Sequence, residues 1–267
     1  MKLPILLITS ITLIASCSGG DEVDQTENGY FKLQFDQSVS GKSTKTLSAP
    51  LEENYPYTNS LGQPYNLTTI RYIISEVVLE GPNGAYFEDE LLVSRDETKG
   101  YYLIDESDIP SQSINLENIP PGTYNKVSFT LGVNEDGVEQ GTGIFLSGMF
   151  WTWNSGYIAL KVEGQSPDSP GEAFGDSIEE TNPFGFAYHI GGWNEPNNNQ
   201  RYALEFEPLL VDPQYRPKAH IAMIVNNIFD GVNPVDFSDK NSVHTPGEGT
   251  EITENLDHLF EIAHVHQ

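Results

Sequence analysis

Lys126-Val127-Ser128-Phe129-Thr130-Leu131-Gly132-Val133 places Val127, Phe129, Leu131 and Val133 on one parity and Lys126, Ser128 and Thr130 on the other. A period of two is that of a strand with one buried face and one wet face. The same alternation recurs outward along the chain, at Phe31, Leu33 and Phe35, at Ile158, Leu160 and Val162, and at Tyr202, Leu204 and Phe206. Further strands are expected over residues 70–79, 101–104, 186–190, 221–225 and 260–266. Turn signals separate them: Gly81-Pro82-Asn83-Gly84, Pro120-Pro121-Gly122 and Asn134-Glu135-Asp136-Gly137. The one convincing helical stretch is 250–259, where Ile252, Leu256 and Leu259 share a face, with shorter candidates at 107–109 and 226–229. The expected fold is all-β: a single antiparallel β-sandwich-like domain over residues 30–267, with one short helix near the C-terminus. Residues 165–183 read as a long surface loop.

The 267 residues carry 13 Lys+Arg against 39 Asp+Glu, a formal charge of −26 that repels phosphate backbones and argues against nucleic-acid binding. One cysteine rules out an internal disulfide, a zinc ribbon and a thiol pair, and 13 Phe with 13 Tyr supply ample core material. That cysteine closes the opening segment. Residues 1–16 combine Lys2 with a short apolar run, too short for a membrane-spanning helix, and end in Ile14-Ala15-Ser16 before Cys17. This resembles a bacterial lipobox. Residues 1–16 are therefore read as a lipoprotein signal peptide, with Cys17 lipidated, and 17–29 as a flexible acidic tether. Ser18 rather than Asp at the next position points to an outer-membrane lipoprotein facing the periplasm or the cell surface.

No Gly-x-Ser-x-Gly elbow, Walker loop, His-Glu-x-x-His or dinucleotide fingerprint occurs, and the expectation is that the protein is not an enzyme. The histidines say more. In 260–266, read as a regular strand, Phe260, Ile262, His264 and His266 share a face, and two imidazoles at that spacing can grip one metal ion. The plainer reading is a polar strand end. In Gly148-Met149-Phe150-Trp151-Thr152-Trp153, Met149, Trp151 and Trp153 line one strand face: a core stripe, or a soft thioether and oxidisable indoles beside a redox metal such as Cu(I). In 184–193, His189 is the sizeable polar side chain on a face otherwise made of Gly185, Ala187 and Gly191.

These segments resemble the MbnP-like family of copper-associated bacterial lipoproteins. The resemblance rests on Ile70-Arg-Tyr-Ile-Ile-Ser75, Tyr102-Leu-Ile-Asp105, Ile119-Pro-Pro-Gly-Thr-Tyr124, Phe129-Thr-Leu-Gly-Val133, Gly148-Met-Phe-Trp-Thr-Trp-Asn-Ser-Gly-Tyr157, Lys161-Val-Glu-Gly164, Tyr188-His-Ile-Gly-Gly192 and His264-Val-His266. It implies a β-rich copper-binding protein that works beside a di-haem enzyme of the cytochrome c peroxidase/MauG type. It further implies oxidation of one tryptophan, Trp151 or Trp153, to kynurenine. The resemblance has a gap: where many members carry a first-strand Phe-x-His, this chain reads Phe35-Asp36-Gln37, and Asp36 is a hard ligand ill suited to Cu(I).

The expected function is a lipid-anchored cell-envelope copper-binding protein for metal uptake or handling. Copper would be held by His264 and His266, with His189, Met149 and an intact or oxidised Trp151 or Trp153 completing the site. The alternative is a metal-free surface β-sandwich that binds a glycan or another envelope protein through residues 194–200 and its acidic loops.

Overall fold

The computed structural model describes residues 27–44, 54–94, 97–141, 148–173, 181–182 and 184–267. The segment read as a signal peptide, Cys17 and most of the tether lie outside the described residues. In chain order the principal strands begin with β1 (Gly29–Val39), β2 (Pro64–Glu80), β3 (Tyr101–Asp105), β4 (Ser113–Ile119), β5 (Gly122–Leu131) and β6 (Phe150–Thr152). They continue with β7 (Gly156–Gln165), β8 (Gly185–Gly191), β9 (Gln200–Val211), β10 (Lys218–Ile224), β11 (Ser242–Val243) and β12 (Phe260–His266). Among the described residues, three short α-helices interrupt them: α1 (Glu135–Glu139), α2 (Asn226–Asp230) and α3 (Pro246–Thr253).

The strands form two packed layers, as the all-β reading requires. The smaller sheet runs β12-β10-β1, with β4 along the far edge of β1. The larger runs β9-β5-β2-β7-β8-β11, with β3 paired to β2 and β6 to β7. β1 shows why the period of two works. Phe31, Leu33 and Phe35 are wholly buried while Lys32, Gln34 and Asp36 point outward. One core cluster joins Phe31, Leu33 and Phe35 of the smaller sheet to Tyr72, Leu79, Phe129, Leu160 and Tyr188 of the larger.

Among the described residues most pairings are antiparallel, but two are parallel: β1 with β10, and β8 with the short β11. Hydrophobic alternation reports which face is buried, not strand direction, so the sequence is silent on this. β4 also went unforeseen, although Ile114 and Leu116 alternate with Ser113 and Asn115 as a half-buried strand should. The C-terminal helix starts earlier than expected. Thr245 and Glu248 form a reciprocal capping box that opens α3 at Pro246, and a 3₁₀ segment, Glu254–His258, completes the turn toward β12. α1 replaces the turn expected at Asn134–Gly137, because the Asn134 side chain accepts from the Gly137 N–H at 3.0 Å and caps a helix.

β12 departs from the regular strand predicted for it. His220 of β10 pairs with His264, but the next residue, Ile221, pairs with Ile262, leaving Ala263 as a one-residue bulge. Phe260, Ile262, His264 and His266 therefore do not share a face. Phe260 is buried, and Ile262 and Val265 pack on the core, so the extra residue turns His264 and His266 to solvent.

Phe260 is the anchor of this strand. Its ring lies 6.1 Å from Phe35, 5.7 Å from Tyr72, 5.3 Å from Phe129 and 4.9 Å from Tyr202. Three of these contacts, with Phe35, Phe129 and Tyr202, are edge-on, with rings 82°, 80° and 85° apart. Phe260→Ala should lower the stability measured by urea denaturation by about 3–5 kcal/mol.

Candidate metal centre

Pairing β12 against β10 brings together histidines that lie far apart in sequence. His220, His264 and His266 each offer a ring nitrogen, and these atoms lie within 4.8 Å of one another. The His220 and His264 rings stack, with centroids 4.1 Å apart and planes 18° apart. His266 stands nearly perpendicular to both, its centroid 4.9 Å from that of His264 and 5.6 Å from that of His220. His264 and His266 are exposed and His220 is partly buried, so the cluster is open on its solvent side.

A carboxylate fixes the innermost member. Asp36 Oδ2 lies 2.7 Å from His220 Nδ1, and Asp36 comes from β1, the strand parallel to β10. With Nδ1–H donating to Asp36, Nε2 keeps its lone pair for a metal. This is the carboxylate–histidine support commonly found behind metal-ligating imidazoles. Asp36 lies in the first-strand stretch where histidine was expected from the family resemblance, and it acts here through His220 rather than as a replacement ligand. Three imidazoles with one carboxylate behind them suit copper or zinc, so the donor set fits the metal that the sequence suggested.

His189 does not join this group. It projects from β8 of the larger sheet, with Nε2 2.8 Å from Glu163 Oε1 on β7 and Nδ1 3.3 Å from His244 Nδ1. Burial works to raise the Glu163 pKa, but hydrogen bonds from His189 and Thr69 and the charge of Lys161 outweigh it and hold it at about 2. Burial, with the charges of Lys161 and His244, keeps the His189 imidazole below its ordinary range despite the pull of Glu163. His189 is therefore neutral at neutral pH. Its small neighbours serve close backbone approach: a Cβ at Gly191 would collide with the Tyr157 carbonyl.

The remaining candidates lie on the outer face of the larger sheet. Met149 is wholly buried in a second apolar cluster with Ile73, Val133, Val138 and Ile158, and Trp151 packs against that cluster. Trp153 is 62% exposed, its ring 5.2 Å from Phe150. The core layer stands between these side chains and the three-histidine cluster, so the structure does not gather the expected histidines, methionine and tryptophans at one point. In the loop 194–200, Asn198 donates to the Gly191 and Pro246 carbonyls and Asn199 to that of Val133, so these amides hold the fold together.

The sequence left His220, His244 and Glu163 unmarked, and it presented Asp36 only as a poor copper ligand, not as the support behind His220. His220 and His244 were visible only as isolated histidines, and no spacing rule links positions brought together by strand pairing.

The family model described as MbnP matches residues 28–245, which takes in His189, His220 and His244 but stops before β12. Among solved structures, the chain is similar to MbnP from Methylosinus trichosporium, at 16% identity and a TM-score of 0.50, over 81% of this chain and 80% of that one. That likeness concerns the fold. No curated protein matches the chain in sequence.

The Glu163 environment predicts an acid-sensitive fold. Its carboxyl binds a proton less readily when folded than when unfolded, so as pH falls from about 4.5 toward 2 the unfolded chain takes up the proton first and stability is lost. Melting temperatures of metal-free protein should fall through that window, and Glu163→Gln should fall less steeply.

Proposed function

The chain belongs to the MbnP family, and on that premise we propose that it is a copper-binding protein of the bacterial cell envelope. The observation that carries this reading is the cluster of His220, His264 and His266 backed by Asp36. The cluster opens to solvent, as suits a protein that takes up and passes on its metal. Copper is the cargo, and the residues bind it without transforming a substrate; the protein is a carrier or sensor component, not an enzyme. Protons compete with the metal for the same imidazole nitrogens, so affinity falls in acid.

The sequence supports two further parts of the proposal. Cys17, in its lipobox-like setting, anchors the domain to the outer membrane through a lipid and the acidic tether. A di-haem protein of the cytochrome c peroxidase/MauG type is the partner, and it oxidises Trp151 or Trp153 to kynurenine. The exposure of Trp153 and the partial exposure of Trp151 support access by such a partner.

Calorimetry on the mature chain should give stoichiometric copper binding, and His264→Ala/His266→Ala and His220→Ala should each abolish or severely weaken it. Asp36→Asn, which keeps the ligand but removes the charge behind it, should weaken binding about 10–100-fold. Copper should also raise the melting temperature, by the equivalent of about 2.7 kcal/mol at a hundredfold excess over Kd. Copper affinity indifferent to all three changes would overturn this site. Co-expression with the di-haem partner should add the mass of one oxygen less one carbon to a peptide containing Trp151 or Trp153. An unmodified peptide would remove the kynurenine part of the proposal.

A further inference from the structure

His189 and His244 meet at the edge of the larger sheet through strand pairing. β8 and β11 run parallel, with Ala187 opposite Ser242 and Tyr188 opposite Val243, so the next step along both chains sets His189 beside His244. The next residue, Thr245, caps α3, and Glu248 of that helix accepts from the His244 backbone N–H at 3.0 Å. The backbones of both residues are thus fixed, one within a sheet and one beside a helix cap.

We propose that His189 and His244 form a second metal site, separate from the three-histidine cluster, for a borderline divalent cation of the Zn2+ class. The distance is the first argument. The two Nδ1 atoms are 3.3 Å apart, and two nitrogens of a tetrahedral zinc site, each about 2.0–2.1 Å from the ion, stand about 3.3–3.4 Å apart. Without a cation, a proton on one Nδ1 must fill the space between the lone pairs; the cation takes the place of that proton.

The second argument is the support behind His189. Glu163 accepts Nε2–H at 2.8 Å, which fixes the tautomer that leaves Nδ1 unprotonated and facing His244. Lys161, with Nζ 3.7 Å from the same carboxylate oxygen, offsets its charge in a half-buried setting. His189 and Glu163 are largely buried while His244 is exposed, so the ion would enter from the His244 side and complete its shell with water. This inference does not rest on the copper reading, because its residues belong to the other sheet.

The test uses the mature chain carrying His264→Ala/His266→Ala, titrated with ZnCl₂ by calorimetry. One equivalent of Zn2+ should bind. Adding His244→Ala should remove it, and adding Glu163→Gln should weaken it about 10–100-fold. The unmutated chain should take two equivalents. A double variant that melts like the unmutated chain yet binds no Zn2+ would overturn the second site, as would binding that persists undiminished after His244→Ala. If the unmutated chain instead takes one equivalent that depends on His244 alone, the second site stands and the three-histidine site fails.

Discussion

The packing of Phe260 among Phe35, Tyr72, Phe129 and Tyr202 ties the last strand to both layers of the sandwich. Phe35 comes from β1, Tyr72 from β2, Phe129 from β5 and Tyr202 from β9, so one ring spans the core from the smaller sheet to the larger. This fixes where β12 begins against β10. The bulge at Ala263 then decides which residues face outward, and His264 comes to rest opposite His220. A shift of one residue would return the histidines to the core face, where an unpaired imidazole is costly. The geometry of the three-histidine cluster on the outside is thus set by aromatic packing on the inside.

The same chemical device occurs on both sheets. At each place a carboxylate from a neighbouring strand engages one ring nitrogen and leaves the other for a ligand: Asp36 behind His220, and Glu163 behind His189. Their surroundings differ. Asp36 is half exposed, in a group open to water, whereas Glu163 is largely buried with Lys161 beside it. The first arrangement favours ready exchange with solvent; the second holds its imidazole in one tautomer more firmly. The overall charge of −26 favours the approach of cations to either place without distinguishing between them.

Much of the fold was legible because burial and strand geometry share a period. The alternation at Phe31–Phe35 or Val127–Leu131 names both the strand and its inward face, and enough such stretches imply two layers. Direction and register were not legible. Nothing in Lys218–Ile224 says that it runs parallel to β1, because the identity of the neighbour depends on how the intervening chain returns. Loop residues misled for a related reason. Asn198 and Asn199 read as surface contacts, yet they complete hydrogen bonds for carbonyls contributed by distant segments.

Taken alone, the sequence determined the class of fold, the family to which the chain belongs, and the histidine pair His264 and His266. Each follows from local pattern: alternation, motif, or a spacing of two on a strand. Tertiary structure decided which side chains join those histidines. It supplied His220 and Asp36 to one group and set His189 beside His244 and Glu163, with Trp151 and Met149 in an apolar layer apart from the three-histidine cluster. The physical reason is that a binding site is a relation between strands. Register and bulges create that relation, and both are settled by packing across the core rather than by any stretch of residues read in order.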